Sequence, residues 1–217
     1  MYNKIVIISG GYIDDTFAAA WITEYAPEYI IVADSGMEFC RRIGLIPDMI
    51  IGDFDSVKED TLSFFKNQTA IVWKELNPIK DDTDTEFAIR QAIELGTKEL
   101  TLLGATGTRL DHVLGNIALL GIGLNYQVQM QLVDAHNRIR LIEEPFKISK
   151  KEQFGSYVSL IPYQGDVTQL TLKGFKYPLE NFTLKPFNSL GISNEIIEKE
   201  AEITFEKGLL LVIESRD

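Results

Sequence analysis

The stretch PDMIIGDFDSV, residues 47–57, shows how a buried strand of this chain reaches the surface. The apolar run at residues 49–51 predicts a short buried strand, and Gly52 ends it. Asp53 and Asp55 follow with one residue between them, so both carboxylates point to one side if the backbone stays extended. Two carboxylates this close repel each other unless a positive group lies between them. The stretch therefore predicts a strand end that needs a cation or another positive group.

The same alternation of short apolar runs and helix-period segments covers the first part of the chain. Strands are predicted over residues 4–8, 29–33, 49–51, 71–75, 100–103 and 127–133, with helices in the intervals between them. Ser56-x-x-Glu59 and Thr83-x-x-Glu86 have the spacing of a capping box, which predicts a helix start at each. The predicted fold class is therefore α/β, with a Rossmann-like parallel sheet and flanking helices.

From about residue 137 the pattern changes to short runs with period-two alternation, such as RIRLIE, YVSLIP, QLTLKG and LLLVIES. Turn signals separate these runs, among them EEP, YQGD and EKG. This pattern predicts a C-terminal antiparallel β-sandwich. We expect two domains, residues 1–134 and 135–217.

The composition limits the class of protein. With 217 residues, 45% of them hydrophobic and 24% charged, the chain is typical of a soluble globular protein. Its formal net charge of −11 would repel a phosphate backbone, so we expect no nucleic-acid partner. No window approaches the roughly 20 apolar residues of a membrane helix, so we expect no membrane contact. The single cysteine, Cys40, is predicted to be buried and reduced, which suits the cytoplasm.

Carboxylates and glycines follow the predicted parallel strands, and ligands bind beyond the carboxyl ends of such strands. The acidic residues at these positions are Asp34, Asp53, Asp55, Asp81, Asp84 and Asp111. Taken singly, each could be an ordinary loop residue or a helix first-turn residue that favours the helix dipole. Together they offer the hard oxygen ligands that suit Mg²⁺. Lys80 and Arg109 add charges for phosphate, so the set indicates magnesium-assisted phosphoryl or pyrophosphoryl transfer, or hydrolysis.

Four motifs then identify a family. PDMIIGDFDSV, KDDTD, GATGTRLDH and SLGISNE occur in an order and at distances that resemble the thiamine pyrophosphokinase family. The resemblance implies transfer of pyrophosphate from ATP to the hydroxyl of thiamine, giving thiamine diphosphate and AMP. It implies that residues 1–134 bind ATP and Mg²⁺ for catalysis and that the β-sandwich of residues 135–217 binds thiamine. It also implies a homodimer with active sites at the subunit interface.

The resemblance also assigns roles to particular residues. It implies that Mg²⁺ on the ATP phosphates is held by Asp53, Asp55 and Asp84. It implies that the nucleotide and its phosphates are lined by Asp34, Thr83, Arg109 and Asp111.

The resemblance also implies which residues take part in catalysis and in thiamine binding. Asp81 would face the reacting centre, and Arg109 would stabilise the charge of the transition state. The proton of the thiamine hydroxyl would go to either Asp111 or Asp81, a choice that stays open. Ser193 and Asn194 would contact the thiamine pyrimidine, although a plain turn explains this pair as well.

Three other functions compete with this one. A magnesium-dependent phosphatase or nucleotide hydrolase would use the same aspartates and release inorganic phosphate without an acceptor. A non-catalytic nucleotide or thiamine sensor would bind its ligand and turn nothing over. A purely structural dimer is disfavoured, because carboxylates gathered without a cation would only destabilise the fold.

Overall fold

The computed structural model describes residues 2–77 and 82–217. By its internal contacts the chain divides into two compact units, Met1–Ala135 and His136–Asp217. The functions assigned to the two predicted domains, 1–134 and 135–217, stay predictions. Among the described residues, the helices are too short or too polar to cross a lipid bilayer.

The first unit alternates strands with helices, as the hydrophobic pattern predicts. Its strands are β1 (Lys4–Ile8), β2 (Tyr29–Ala33), β3 (Met49–Gly52), β4 (Val72–Glu75), β5 (Glu99–Leu103) and β6 (Gln129–Val133). Its helices are α1 (Asp15–Tyr25), α2 (Gly36–Ile43), α3 (Glu59–Lys66), α4 (Asp84–Glu94) and α5 (Leu110–Tyr126).

The strands of this unit form a parallel sheet in the order β4-β3-β2-β1-β5-β6. β1, β2 and β3 consist almost wholly of buried residues, the pattern of strands covered on both faces. Cys40 of α2 is fully buried, as predicted. The predicted α/β fold class is confirmed for this unit.

The start of α3 differs from the prediction. The residue before α3 is Lys58 rather than Ser56, so the Ser56-x-x-Glu59 capping box is wrong. The hydroxyl of Ser56 instead donates a hydrogen bond to Asp34. α5 continues through Gly121 and Gly123, and at Gly123 the helix backbone lies close to Val128 and Met130. A Cβ atom on Gly123 would lie 2.7 Å from the carbonyl oxygen of Val128.

The second unit is built from antiparallel strands. They are β7 (Asn137–Ile142), β8 (Phe146–Ser149), β9 (Tyr157–Lys173), β10 (Leu179–Leu184), β11 (Glu200–Thr204) and β12 (Lys207–Ser215). β12 lies between β7 and β9, and β11 lies between β9 and β8. Apolar side chains from these strands, including Val158, Leu170 and Leu210, form one buried core. The predicted antiparallel C-terminal part is confirmed.

β9 shows where turn signals mislead. The YQGD motif predicts a turn between two strands, but the structure has one continuous strand there, with Gln164 at φ 63° and Gly165 at φ 150°. The first part of β9 pairs with β12, and the part after Gly165 pairs with β10 and β11. The positive φ values coincide with a shift in the register between β9 and β12, so one continuous strand pairs with two sets of neighbours. β8 was not predicted.

A buried ionic cluster joins β7 to β12. The side chain of Glu214 is fully buried and accepts hydrogen bonds from Arg138 (2.7 and 2.8 Å), from Arg140 (2.8 Å) and from the backbone N–H of Phe154 (2.9 Å). Burial lowers the pKa of Arg140 to about 10, which still leaves its guanidinium charged at neutral pH. The two arginines therefore share one buried carboxylate as their counter-charge, while Arg138 also donates to the carbonyl oxygen of Glu152 at 2.9 Å.

Candidate active site

The strand order of the first unit locates a crevice at the carboxyl ends of its strands. β1 lies between β2 and β5; the chain runs from β1 toward β2 on one side and from β5 toward β6 on the other, so the strand order reverses at the β1–β5 pair. Open parallel sheets bind ligands at such a switch point. A cavity of about 430 Å³ lies there, lined by the loops after β1, β2 and β5 and by the start of α4. Its size suits a small-molecule ligand.

Glycines form the floor of this cavity, because two loops cross at backbone contact distance. The N–H of Gly11 donates to the carbonyl oxygen of Gly104 at 3.0 Å. A Cβ on Gly11 would lie 2.3 Å from that oxygen, and a Cβ on Gly104, at φ 70°, would lie 2.4 Å from the carbonyl oxygen of Ser9. Only glycine fits both positions, and the floor therefore presents backbone rather than side chains to a ligand.

Three carboxylates gather at one side of the cavity. One oxygen each from Asp34, Asp53 and Asp55 lies within 4.8 Å of the others. The charge of Asp53 is the largest influence on Asp55 and raises its pKa, with smaller contributions from Asp34 and Asp84. Asp53 and Asp55 therefore lie close together as the sequence predicts, and the third carboxylate within 4.8 Å of them is Asp34; their role as metal ligands stays a prediction.

Asp84 occupies a neighbouring position. It is the first residue of α4 and lines the cavity, and its charge is felt by Asp55, but it is outside the group of carboxylates that lie within 4.8 Å. Thr83 precedes it and also lines the cavity. The side chain of Thr83 accepts the N–H of Glu86 at 3.2 Å, so the predicted helix start is confirmed, while the Glu86 carboxylate accepts from Arg90 at 2.6 Å. Asp81 and Lys80 lie outside the described residues.

The chemistry of Asp34 indicates that a cation fits this cluster. Its Oδ2 accepts the hydroxyl hydrogen of Ser56, while its Oδ1 is buried and has no hydrogen-bond partner within residues 2–77 and 82–217. A buried carboxylate oxygen without a donor is costly. A hard divalent cation shared with Asp53 and Asp55 would satisfy this oxygen and offset the repulsion among the three groups.

Arg109 and Asp111 form an exposed ion pair at the start of α5. Their closest contact is 2.6 Å, and both side chains are more than half exposed. The hydrogen bond from Arg109 lowers the pKa of Asp111 to about 2. Arg109 lines the cavity, whereas Asp111 orients it from the side. A carboxylate with so low a pKa is a weak base, and this weighs against Asp111 as the proton acceptor.

The residues of the cavity that the sequence does not predict include Tyr12 and Ser56. Tyr12 lines it directly after the Gly10-Gly11 pair and is 69% exposed. Its position in the loop after β1 could have indicated a place in the site, because ligands bind beyond the carboxyl ends of parallel strands. The spacing of Ser56 and Glu59 predicts a helix cap, because a capping box cannot be distinguished by spacing from a chance serine and glutamate.

The second unit contains Ser193 and Asn194. The amide of Asn194 is buried and already engaged, since its Oδ1 accepts the N–H groups of Tyr177 (3.0 Å) and Glu195 (2.9 Å) and its Nδ2 donates to the Tyr177 carbonyl (2.8 Å). Ser193 is exposed, has φ 58°, and donates its backbone N–H to the Ser159 hydroxyl. Asn194 therefore shapes the loop, and Ser193 is the member of the pair with an accessible side chain.

The fold and the cavity together define a class: an open α/β protein with an acidic, glycine-floored site for a phosphorylated ligand at its switch point. Two family models match the chain. The thiamin pyrophosphokinase catalytic domain covers residues 24–132, and the thiamin pyrophosphokinase vitamin B1 binding domain covers residues 145–210. The chain belongs to the thiamin pyrophosphokinase family, as its motifs predicted, and is an ATP-dependent transferase by that membership.

Relatives and solved structures agree with this assignment. The chain is 35% identical to thiamine pyrophosphokinase of Bacillus subtilis over 198 residues, which cover 90% of this chain and 92% of that protein. A crystal structure of the Bacillus subtilis enzyme matches with a TM-score of 0.88 over 98% of this chain and 99% of that one. The Geobacillus thermodenitrificans structure is 32% identical and matches with a TM-score of 0.84, covering 98% of this chain and 97% of that one.

Proposed function

We propose that this protein transfers the pyrophosphoryl group of ATP to the hydroxyl of thiamine, releasing AMP. The observation that carries the proposal is a glycine-floored cavity beside three clustered carboxylates at the switch point of the sheet. A backbone floor suits phosphate oxygens, since its N–H groups can donate to them. The carboxylates alone would repel a polyphosphate, so they need a cation to take part in binding one.

We assign the metal site to Asp53, Asp55 and Asp84, with Asp34 beside them. Mg²⁺ bound there would neutralise the phosphates of ATP and hold them for in-line attack. Asp53 and Asp55 lie in the turn directly after β3, where Phe54 between them has φ 65° and the N–H of Asp55 donates to Oδ1 of Asp53 at 3.2 Å. Asp34 follows β2 and Asp84 is the first residue of α4, and both line the cavity.

The remaining residues would bind the nucleotide. Thr83 uses its oxygen as a helix cap, which leaves its hydroxyl hydrogen for a phosphate oxygen. Arg109 carries the charge that a leaving phosphate needs, and Asp111 keeps its guanidinium oriented. For the proton of the thiamine hydroxyl, the low pKa of Asp111 favours Asp81 as the acceptor, an assignment that rests on the sequence alone.

We assign thiamine binding to the domain of residues 135–217, with Ser193 as the residue that contacts thiamine and Asn194 as the residue that shapes its loop. We also propose a homodimer with active sites at the subunit interface. Exposed apolar side chains support this, namely Leu110 and Leu114 in the first unit and Phe187, Leu190 and Ile197 in the second. Size-exclusion chromatography with light scattering tests the dimer, and a mass of 24.5 kDa would contradict it.

We infer from the composition that the protein works in the cytoplasm. A single buried thiol suits a reducing cytoplasm, and a net charge of −11 disfavours nucleic acid and anionic membrane surfaces as partners.

The reaction is tested by its products. The protein is incubated with ATP, Mg²⁺ and thiamine, and the products are resolved by chromatography, with EDTA and thiamine-free controls. We expect thiamine diphosphate and AMP together, and neither in EDTA. Release of inorganic phosphate without thiamine would instead establish the hydrolase, and ligand binding without turnover would establish the sensor.

The metal assignment is tested with Asp55→Asn. Because this change removes a charge from the cluster, we expect turnover to fall by at least about a hundredfold while the fold persists. Asp60→Asn is the matched control, since Asp60 is an exposed aspartate on the following helix and away from the cavity. Near-normal turnover of a folded Asp55→Asn variant would refute the metal role.

A further inference from the structure

Ser56 lies in the loop after β3, and its side chain contacts a residue that follows a different strand. Its hydroxyl donates to Oδ2 of Asp34, which follows β2. α3 begins three residues later with Lys58 as its cap, so the position of Ser56 is not explained by helix capping. Ser56 also lines the cavity. The hydrogen bond therefore links the two strand ends that supply the carboxylate cluster.

The backbone of Asp34 is held in a strained place. Its φ of 46° is left-handed, which is uncommon for a residue with a side chain, and its N–H donates to the carbonyl oxygen of Ile51 at 2.8 Å. Gly52 packs against it, where a Cβ atom would lie 3.2 Å from the Asp34 Cα. These contacts fix the start of the side chain and leave the carboxylate free to rotate unless something holds it.

Repulsion would rotate that carboxylate away from its neighbours. One oxygen of Asp34 lies within 4.8 Å of oxygens of Asp53 and Asp55, and like charges at this distance favour separation. Ser56 opposes this with a donor that carries no charge. With Oδ2 bonded to Ser56, Oδ1 stays buried and without a partner among the described residues. Oδ1 therefore keeps its full capacity to accept, which a cation could use.

We propose that Ser56 is a positioning residue that holds the carboxylate of Asp34 beside Asp53 and Asp55, so that Asp34 serves the divalent cation and not the nucleotide directly. The proposal rests on the proposed function, because it assumes a cation at this cluster. Groups that orient metal ligands from behind commonly contribute 10- to 100-fold to metal affinity.

The test measures binding of Mn²⁺ alone, followed by the electron paramagnetic resonance signal of free Mn²⁺ with no nucleotide present. We expect Ser56→Ala to weaken Mn²⁺ binding by about 10- to 100-fold. Ser56→Thr keeps the hydroxyl and should bind within about threefold of the wild type. Ser63→Ala, an exposed serine of α3, is the control for the same chemical change and should leave Mn²⁺ affinity unchanged.

A second readout separates positioning from general damage. In turnover assays, Ser56→Ala should need more Mg²⁺ for its half-maximal rate, while saturating Mg²⁺ should restore most of kcat. Circular dichroism in EDTA checks the fold of each variant. Ser56→Ala with wild-type Mn²⁺ affinity, or unfolded in EDTA, overturns the proposal, as does a wild type that binds no Mn²⁺. Failure of the proposed function is seen separately, as absence of thiamine diphosphate from the wild-type reaction.

Discussion

Glu214 allows a sharp test of what holds the second unit together. Its fully buried carboxylate accepts three hydrogen bonds from Arg138 and Arg140 and one from the backbone N–H of Phe154. In Glu214→Gln the shape is kept, but the amide has one acceptor oxygen and turns donor hydrogens toward guanidinium donors. Two arginines that are only 17% and 22% exposed would lose their counter-charge.

We expect a large loss of unfolding free energy, because the two arginines stay buried and desolvated when their carboxylate partner is removed. Breaking a buried ion pair in this way destabilises by about 3–5 kcal/mol. At about 2–4 °C per kcal/mol for a chain of this size, the melting temperature should fall by about 6–20 °C. Thermal and urea unfolding, monitored by circular dichroism, measure this change in stability.

The matched control is an ion pair on the surface of the same unit. Glu200→Gln removes an exposed partner of Lys147, and Lys147 keeps its contact of 2.6 Å to Glu202. We therefore expect this variant to lose less than about 1 kcal/mol of unfolding free energy. If Glu214→Gln melts within about 3 °C of the wild type, the argument that burial makes this pair costly to break is refuted.

Three smaller predictions follow from single contacts. Thr83→Ala removes the side-chain cap of α4 and should cost about 1 kcal/mol of unfolding free energy in urea, whereas Thr83→Ser should cost little; equal stability of both variants would contradict the cap. Arg109→Met should raise the pKa of Asp111 from about 2 toward its usual value in a carboxyl NMR titration. Because the folded pKa is the depressed one, the stability that this pair contributes is present above the unfolded pKa and is lost as the pH falls toward 2. An unchanged titration would show that another group lowers the pKa. Burial raises the pKa of the Cys40 thiol, so thiol reagents should label it in urea and not in the folded protein, and rapid native labelling would contradict its burial.

The sequence predicts the first unit well because local signals and burial agree there. β2 and β3 read as apolar runs and are buried on both faces, and Thr83 occupies the cap that its spacing predicts. The same local signal fails at Ser56, where a hydrogen bond to a residue 22 positions away takes the place of a helix cap. A spacing rule cannot detect a partner on another strand.

Long-range geometry also explains why the sequence predicts two members of the carboxylate cluster and not the third. Asp53 and Asp55 are predictable, because they end a strand with one residue between them. Asp34 joins them only because β2 and β3 pair in register, with Ala33 opposite Ile51, and because its backbone is left-handed. In β9, the glycine after Gln164 reads as a turn, and only the pairing with β10, β11 and β12 shows that the strand continues.

The place of β12 has a consequence for synthesis on the ribosome. The parallel sheet of the first unit contains every one of its strands once residue 133 has been made, so a nascent chain can complete it early. The second unit cannot do the same. Residues Leu210 to Ser215 pair with β7 on one side and with β9 on the other, so the strand made last joins the two made before it. Until then β7 and the first part of β9 carry open hydrogen-bonding edges, which makes the nascent second unit the part of this chain most exposed to misassembly.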